Sequence, residues 1–251
     1  MIDIHTHLLP GVDDGSPSAD VSLPILRRFA DEGVEVVVCT PHLEASRASR
    51  APHEEYDAIL RSLAARAPER VTLLRGWEIM IDVPGIDLSD RRLGLGGSPA
   101  VLVEFPRMNV PAEAGHELMR LRTSGIIPVL AHPERYWGCT PEMVHGWRNA
   151  GAAIQMDASM LLGGPNSSKL ARALLGEGLV DCIASDNHGD RRSLAGARQW
   201  LLELGADEQA ELLTRGNPRR MLDGQLPLPV APLPMVERGM LARLKQLVLG
   251  H

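Results

Sequence analysis

Cysteine is scarce in this chain of 251 residues, and its three cysteines lie far apart. Cys39, Cys139 and Cys182 support neither a disulfide framework nor a thiolate metal site. Cys39 and Cys182 fall inside apolar, strand-like runs and read as reduced core residues. A cysteine phosphatase needs an arginine six positions after its nucleophile, and those positions hold Ala45, His145 and His188, so that mechanism is excluded. No apolar run approaches the roughly 18 residues of a membrane span. Met1-Ile2-Asp3-Ile4-His5 has neither a basic stretch nor a long apolar one, so no signal peptide is expected and the cytoplasm is the expected compartment. Basic residues are outnumbered, 26 against 32 acidic ones for a net charge of -6, which leaves no electrostatic footprint for nucleic acid. No G-x-S-x-G elbow, P-loop or G-x-G-x-x-G follows a strand; Gly94-Leu95-Gly96-Gly97 runs into Ser98-Pro99 and reads as a turn. No internal repeat is evident.

What the chain does contain is alternation. Apolar residues make up 44% of it, enough for one substantial core. Strands are expected at Ile2–His5, Val34–Thr40, Val71–Gly76, Ala100–Phe105, Ile127–Ala131, Ala152–Met156 and Asp181–Ser185. Helices are expected near Leu23–Glu32, Glu54–Ala67, Ala112–Ser124, Pro141–Ala150, Ser168–Gly176, Leu194–Leu204 and Asp207–Arg215. Pro24 then falls in a first turn and Gly33 follows a last one. Buried parallel strands covered by helices follow, and seven of them suggest a barrel or a distorted barrel. Four prolines within Leu226–Pro234 read as an extended linker, dividing a body over 1–225 from a tail over 226–251. Met240, Leu241, Leu244, Leu247 and Val248 then recur at helical spacing among Arg238, Arg243 and Lys245. That helix, Met235–Leu249, would pack back on the body, dock a partner or lie peripherally on a membrane surface.

The expected strand ends carry side chains of one kind. Ile2-Asp3-Ile4-His5-Thr6-His7, Thr40-Pro41-His42, Trp77-Glu78, Val103-Glu104, Ala131-His132-Pro133-Glu134-Arg135 and Ser185-Asp186-Asn187-His188 each place an imidazole or carboxylate after an apolar run, and Asp13-Asp14-Gly15 adds an acidic turn. Such groups are costly to bury unless they pair or coordinate a cation. His5 and His7, two apart on a strand, point the same way and can clasp one ion. Asp186 and His188 repeat the spacing on a later strand. Histidine and carboxylate without thiolate favour Mn, Fe or Zn. Ions gathered in a cleft suit phosphate-ester hydrolysis, because they make hydroxide near neutral pH and offset charge on the phosphoryl oxygens. Arg135 could clamp the same phosphate, or form a surface ion pair with Glu134 or another acid.

These motifs together resemble the PHP (polymerase and histidinol phosphatase) superfamily. Met1–Gly15 resembles more closely the metal-dependent tyrosine phosphatases of bacterial capsule and exopolysaccharide gene clusters. The resemblance covers about Met1 to Leu222 and implies an α/β fold, a distorted (β/α)7 barrel, with two or three divalent ions, Mn first and Fe, Zn or Co as alternatives. It implies His5, His7, Glu78 and Asp186 at a first ion, Glu78 bridging to a second held by Glu104 and His132, and Asp14, His42 and His188 at a third. Asp13 is the alternative at the acidic turn. It further implies a phosphate-binding arginine beyond the last histidine, where Arg192 is preferred to Arg191. His53, His116, His145 and His251 match no motif and are assigned to surface or packing. The expected activity is hydrolysis of phosphotyrosine by a metal-bound hydroxide, on the tail of a bacterial tyrosine kinase that regulates polysaccharide export. Two other readings stand beside it: a small-molecule phosphomonoesterase resembling histidinol phosphatase, and a non-catalytic, metal-stabilised binding domain.

Overall fold

The computed structural model describes residues 1–233; the expected helix over Met235–Leu249 lies outside the described residues. All strand pairs are parallel, and the strands form two sheets rather than one. One sheet is β1 (Ile2–Thr6), β2 (Val36–Cys39) and β4 (Thr72–Arg75). The other runs β3 (His42–Glu44), β5 (Glu78–Met80), β6 (Ala100–Glu104), β7 (Ile127–Ala131), β8 (Ala153–Asp157) and β9 (Cys182–Ala184). A lone parallel bridge, Thr6 to Asn187, links the two at β1.

Seven strands were expected and nine are observed among the described residues, because two of the expected strands are interrupted and resume. Pro41, which has no N–H to give a ladder, separates β2 from β3. Gly76-Trp77 separates β4 from β5: a Cβ at Gly76 would lie 2.8 Å from Leu95 Cδ2 and 3.2 Å from Val38 Cγ1, so the backbone passes where no larger residue fits. The resumed pieces matter functionally, since β3 opens on His42 and β5 on Glu78.

Alternate residues of both sheets, among them Ile2, Ile4, Val36, Val38, Leu102, Val129 and Ala184, enclose one small apolar cluster plugged by Leu95 and Met221. A larger cluster on the outer faces takes in the helices α1 (Ala19–Asp31), α2 (His53–Ala64), α3 (Ala114–Thr123), α4 (Pro141–Asn149), α5 (Ala158–Leu162), α6 (Ser168–Gly176) and α7 (Leu194–Glu203). The short α8 (Asp207–Glu211) and α9 (Asn217–Leu222) flank a π-helical turn. Helix α1 begins earlier than expected, so Pro24 lies within it. Within it the buried Ser22 hydroxyl donates to Leu8 O at 2.8 Å, tying the helix to the segment after β1.

The stretch expected as a linker has no regular secondary structure through Leu233, yet it is held on the body. Asn217 is fully buried; its Nδ2 donates to Asp181 O and Leu228 O, both at 2.9 Å, and its Oδ1 accepts Leu228 N–H at 2.8 Å. Val230 follows with 6% of its surface exposed.

Candidate metal centre

A register shift in β1 between Asp3 and Thr6 puts one extra residue into that strand. Ile4 and His5, neighbours in sequence, can therefore both face inward, Ile4 into the inner apolar cluster and His5 into the polar layer above it. His7 follows on the same side. Its close approach to the acidic turn depends on Gly15, where a Cβ would sit 2.2 Å from His7 O. His132, directly after β7, and Asp186, two residues after the end of β9, have φ of 32° and 47°, a left-handed conformation that non-glycine residues adopt at a cost of order 1–3 kcal/mol. Two such outliers in one site mark a geometry imposed by the surrounding fold.

The structure brings all nine expected ligand residues together in four overlapping groups: His5 with Glu78 and His132, His5 with His7 and Asp186, His42 with Glu78 and Glu104, and His7 with Asp14, His42 and His188. Glu78 Oε1 lies 2.7 Å from His132 Nε2, and Oε2 lies 3.3, 3.2 and 3.0 Å from His5 Nε2, His7 Nε2 and His42 Nδ1. Asp186 Oδ1 lies 3.3 and 3.4 Å from His5 and His7 Nε2. Asp14 Oδ1 faces His42 Nε2 at 3.3 Å and His188 Nε2 at 3.6 Å.

This donor set fits divalent cations. His5 Nδ1 meets Gln155 Oε1 at 2.9 Å, and that amide is oriented by its own bond to Met156 O at 2.7 Å, so His5 donates from Nδ1 and turns the Nε2 lone pair inward. Asp13 Oδ2, 2.7 Å from His7 Nδ1, does the same for His7. The two Nε2 atoms are only 3.2 Å apart, and buried Glu78 Oε2 and Asp186 Oδ1 beside them have no hydrogen-bond partner. Convergent lone pairs in a dry pocket require positive charge among them.

Without ions, protons take that place. Burial opposes a charge on His5, but Glu78 and Asp186 outweigh it and raise its pKa to about 9 from an ordinary 6.5. Burial is likewise outweighed at His7, raised by Asp13, Asp186 and Glu78, while His5 and its neighbours hold Glu78 and Asp186 well below the usual carboxylate range. A histidine with a raised folded pKa stabilises the fold fully below its unfolded value and loses that contribution as pH rises through the folded one. The metal-free protein should therefore lose on the order of 3 kcal/mol between pH 6.5 and 9, roughly 5–10 °C in melting temperature. Added Mn should cancel the loss and release protons at pH 7; a melting curve in chelator that is flat over this window would refute the assignment.

Arg135 does not pair with Glu134. Burial, together with Asp157, pushes the Glu134 carboxyl up to about 8, and Glu134 accepts the Asp157 N–H at 2.7 Å. Arg135 instead reaches Asp186 Oδ2, with Asp157 at 3.4 Å. Arg192 reaches the same Asp186 oxygen at 3.1 Å and Asp190 at 2.8 Å, whereas Arg191 is exposed. Asp186 thus turns one oxygen to the imidazoles and the other to two guanidiniums. Of the unassigned histidines, His53 is buried edge-on against Trp77, His116 is exposed beside Glu113 and His145 is exposed near Asn149; His251 lies outside the described residues. Two residues without an expected role join the site, Gln155, which orients His5, and Asp157, which steadies Arg135, while Asp13, the alternative at the acidic turn, instead orients His7. A polar Gln155 inside the apolar run of β8 was the available sign for that strand.

Burial drives the Cys39 thiol up to about 12, burial does the same for Cys139, and Cys182 is raised well above its ordinary value. No thiolate is available near neutral pH. Cys39→Ser, Cys139→Ser and Cys182→Ser should each retain turnover; near-complete inactivation of one of these, still folded, would contradict a water nucleophile.

Parallel strands whose carboxyl ends converge on imidazoles and carboxylates define an α/β protein built to hold divalent cations. The family model for capsular polysaccharide synthesis, CpsB/CapC, matches residues 1–223, and the chain belongs to that family. It is 30% identical over 241 residues to the tyrosine-protein phosphatase YwqE of Bacillus subtilis, covering 86% of this chain and 92% of that protein. It is 26% identical over 243 residues to the tyrosine-protein phosphatase CpsB of Streptococcus pneumoniae, covering 90% and 100%. One chain from the crystal structures of YwqE from Bacillus subtilis and CpsB from Streptococcus pneumoniae, metal-dependent tyrosine phosphatases, superposes with a TM-score of 0.77 at 27% identity, covering 94% of this chain and all of the other.

Proposed function

We propose that this protein is a metal-dependent protein-tyrosine phosphatase of capsular polysaccharide synthesis. The observation that carries the reading is the convergence of nine imidazole and carboxylate side chains under two arginines, in a chain whose relatives are named for that activity. Bound divalent ions would supply the Lewis acidity that ionises water near neutral pH and would offset charge on the phosphoryl oxygens. His5, His7, Glu78 and Asp186 would hold one ion, Glu78, Glu104 and His132 a second, and Asp14, His42 and His188 a third, with Mn the first candidate for a set of hard and borderline donors. Arg135 and Arg192 would bind and orient the phosphoryl group from the Asp186 side. Gln155 and Asp13 keep the lone pairs of His5 and His7 directed at the site.

The same reading takes the fold as a distorted (β/α)7 barrel of the PHP type, with β2/β3 and β4/β5 each counted as one interrupted strand. It assigns catalysis to residues 1–225, treats 226–251 as a tail, and takes the substrate as a phosphotyrosine-bearing tyrosine kinase met in the cytoplasm. Among the described residues no helix is long and apolar enough to cross a membrane. Turnover of phosphotyrosine peptides by the Mn-loaded protein, set against histidinol phosphate, tests the proposal. A strong preference for histidinol phosphate would favour a small-molecule phosphomonoesterase, and no turnover of either with a full complement of ions would favour a binding domain.

A further inference from the structure

Two rows of side chains cross β3, β5 and β6. In one, His42 stands beside Glu78; in the other, Glu44 stands beside Met80 and Met80 beside Glu104. Residues two apart on a strand share a face, so Met80 projects with Glu78, and Glu44 with His42. Leu102 completes the first row beside Glu78 and turns into the inner apolar cluster, so Met80 is the apolar member of the second row, between the carboxylates of Glu44 and Glu104. Against this face opens a cavity of about 430 Å³ lined by His42, Leu43, Glu44, Arg47, Met80 and Glu104. It begins at two of the proposed metal ligands. It ends at Arg47, whose side chain is 75% exposed and bonded to Glu44 at 2.8 Å. The arginines expected to grip the phosphoryl group lie across the centre, on Asp186.

We propose that this cavity is the subsite for the aryl ring of the substrate, with Met80 as its apolar wall; this rests on the phosphatase reading above. An aryl phosphate has two unlike ends. Its dianion belongs with cations and guanidiniums, and its ring gains by leaving water for apolar surface. With the phosphoryl group held between the centre and the two arginines, the ester oxygen is directed away from Asp186, toward the side where His42 and Glu104 open into the cavity. The volume lies in the range of ligand clefts, and a thioether packs well on an aromatic ring. A phosphoserine has no ring to fill the space, so the cavity would set a preference for aryl over alkyl esters.

The test uses the full-length, Mn-loaded protein with Met80→Ala and the nearly isosteric Met80→Gln. Binding of phenylphosphonate and methylphosphonate is measured by calorimetry, metal content is checked, and KM and kcat are determined on p-nitrophenyl phosphate and a phosphotyrosine peptide. The wild-type preference for phenylphosphonate over methylphosphonate should fall ~10-fold in Met80→Ala, with metal content retained and the loss of turnover mainly in KM. Variants that keep the wild-type preference would overturn the subsite while the phosphatase reading stood. A wild-type protein that hydrolyses no aryl phosphate would overturn the phosphatase reading, and the subsite with it.

Discussion

Glu78→Gln is expected to lower turnover on the order of 10³-fold, the largest effect of any single substitution in this protein. Oε1 of Glu78 pairs with His132, Oε2 faces three further imidazole nitrogens at 3.0–3.3 Å without a hydrogen bond, and the side chain is almost completely buried. The amide removes a negative charge and replaces one acceptor with an N–H₂ group that no cation tolerates as a neighbour. Exhaustive chelation should have the same consequence for the unaltered protein, and Mn should restore activity. Metal analysis of Glu78→Gln should show fewer ions per chain, while His116→Ala, at a fully solvated imidazole, should match the unaltered protein in both respects. Full turnover after complete metal removal would refute the mechanism.

Arg135→Ala should reduce kcat roughly 10²–10³-fold with metal content nearly intact. The guanidinium is mostly buried and converges with Arg192 on one oxygen of Asp186, the oxygen turned away from the imidazoles. A guanidinium so placed can take two oxygens of a phosphoryl group at once, which the point charge of a lysine cannot. Arg135→Lys should therefore recover only part of the loss. Loss of ions from Arg135→Ala would instead make Arg135 a residue that holds Asp186 in place.

The imidazoles and carboxylates at the strand ends were legible in the sequence because burying such a group after an apolar run is costly whatever the fold, so their repetition points to a common cation; the full set of nine, with the exposed Asp14 preferred to Asp13, came from the family resemblance. The alternation that makes β1, β6 and β7 parallel strands under helices was legible for a similar reason, since local hydrophobic period reports burial directly. The interruptions at Pro41 and Gly76 were not, because a strand that breaks and resumes leaves its apolar pattern nearly unchanged. The second tier of the site was hidden for another reason: Gln155 and Asp157 matter through contacts with residues outside their own segments, Gln155 with His5 across 150 positions and Asp157 with Arg135 across 22.

By itself, then, the sequence determined the kind of chemistry and the strands that carry it, because both follow from side-chain solvation and short-range periodicity. Tertiary structure decided the rest. It brought Arg192, and not the exposed Arg191, to Asp186, sent Arg135 to Asp186 and away from Glu134, and tied Leu228 to the body through Asn217. Each of these depends on which of several polar groups close in sequence meets a given partner, 51 positions away for Arg135 and Asp186. Only the packed fold brings such partners within hydrogen-bonding distance.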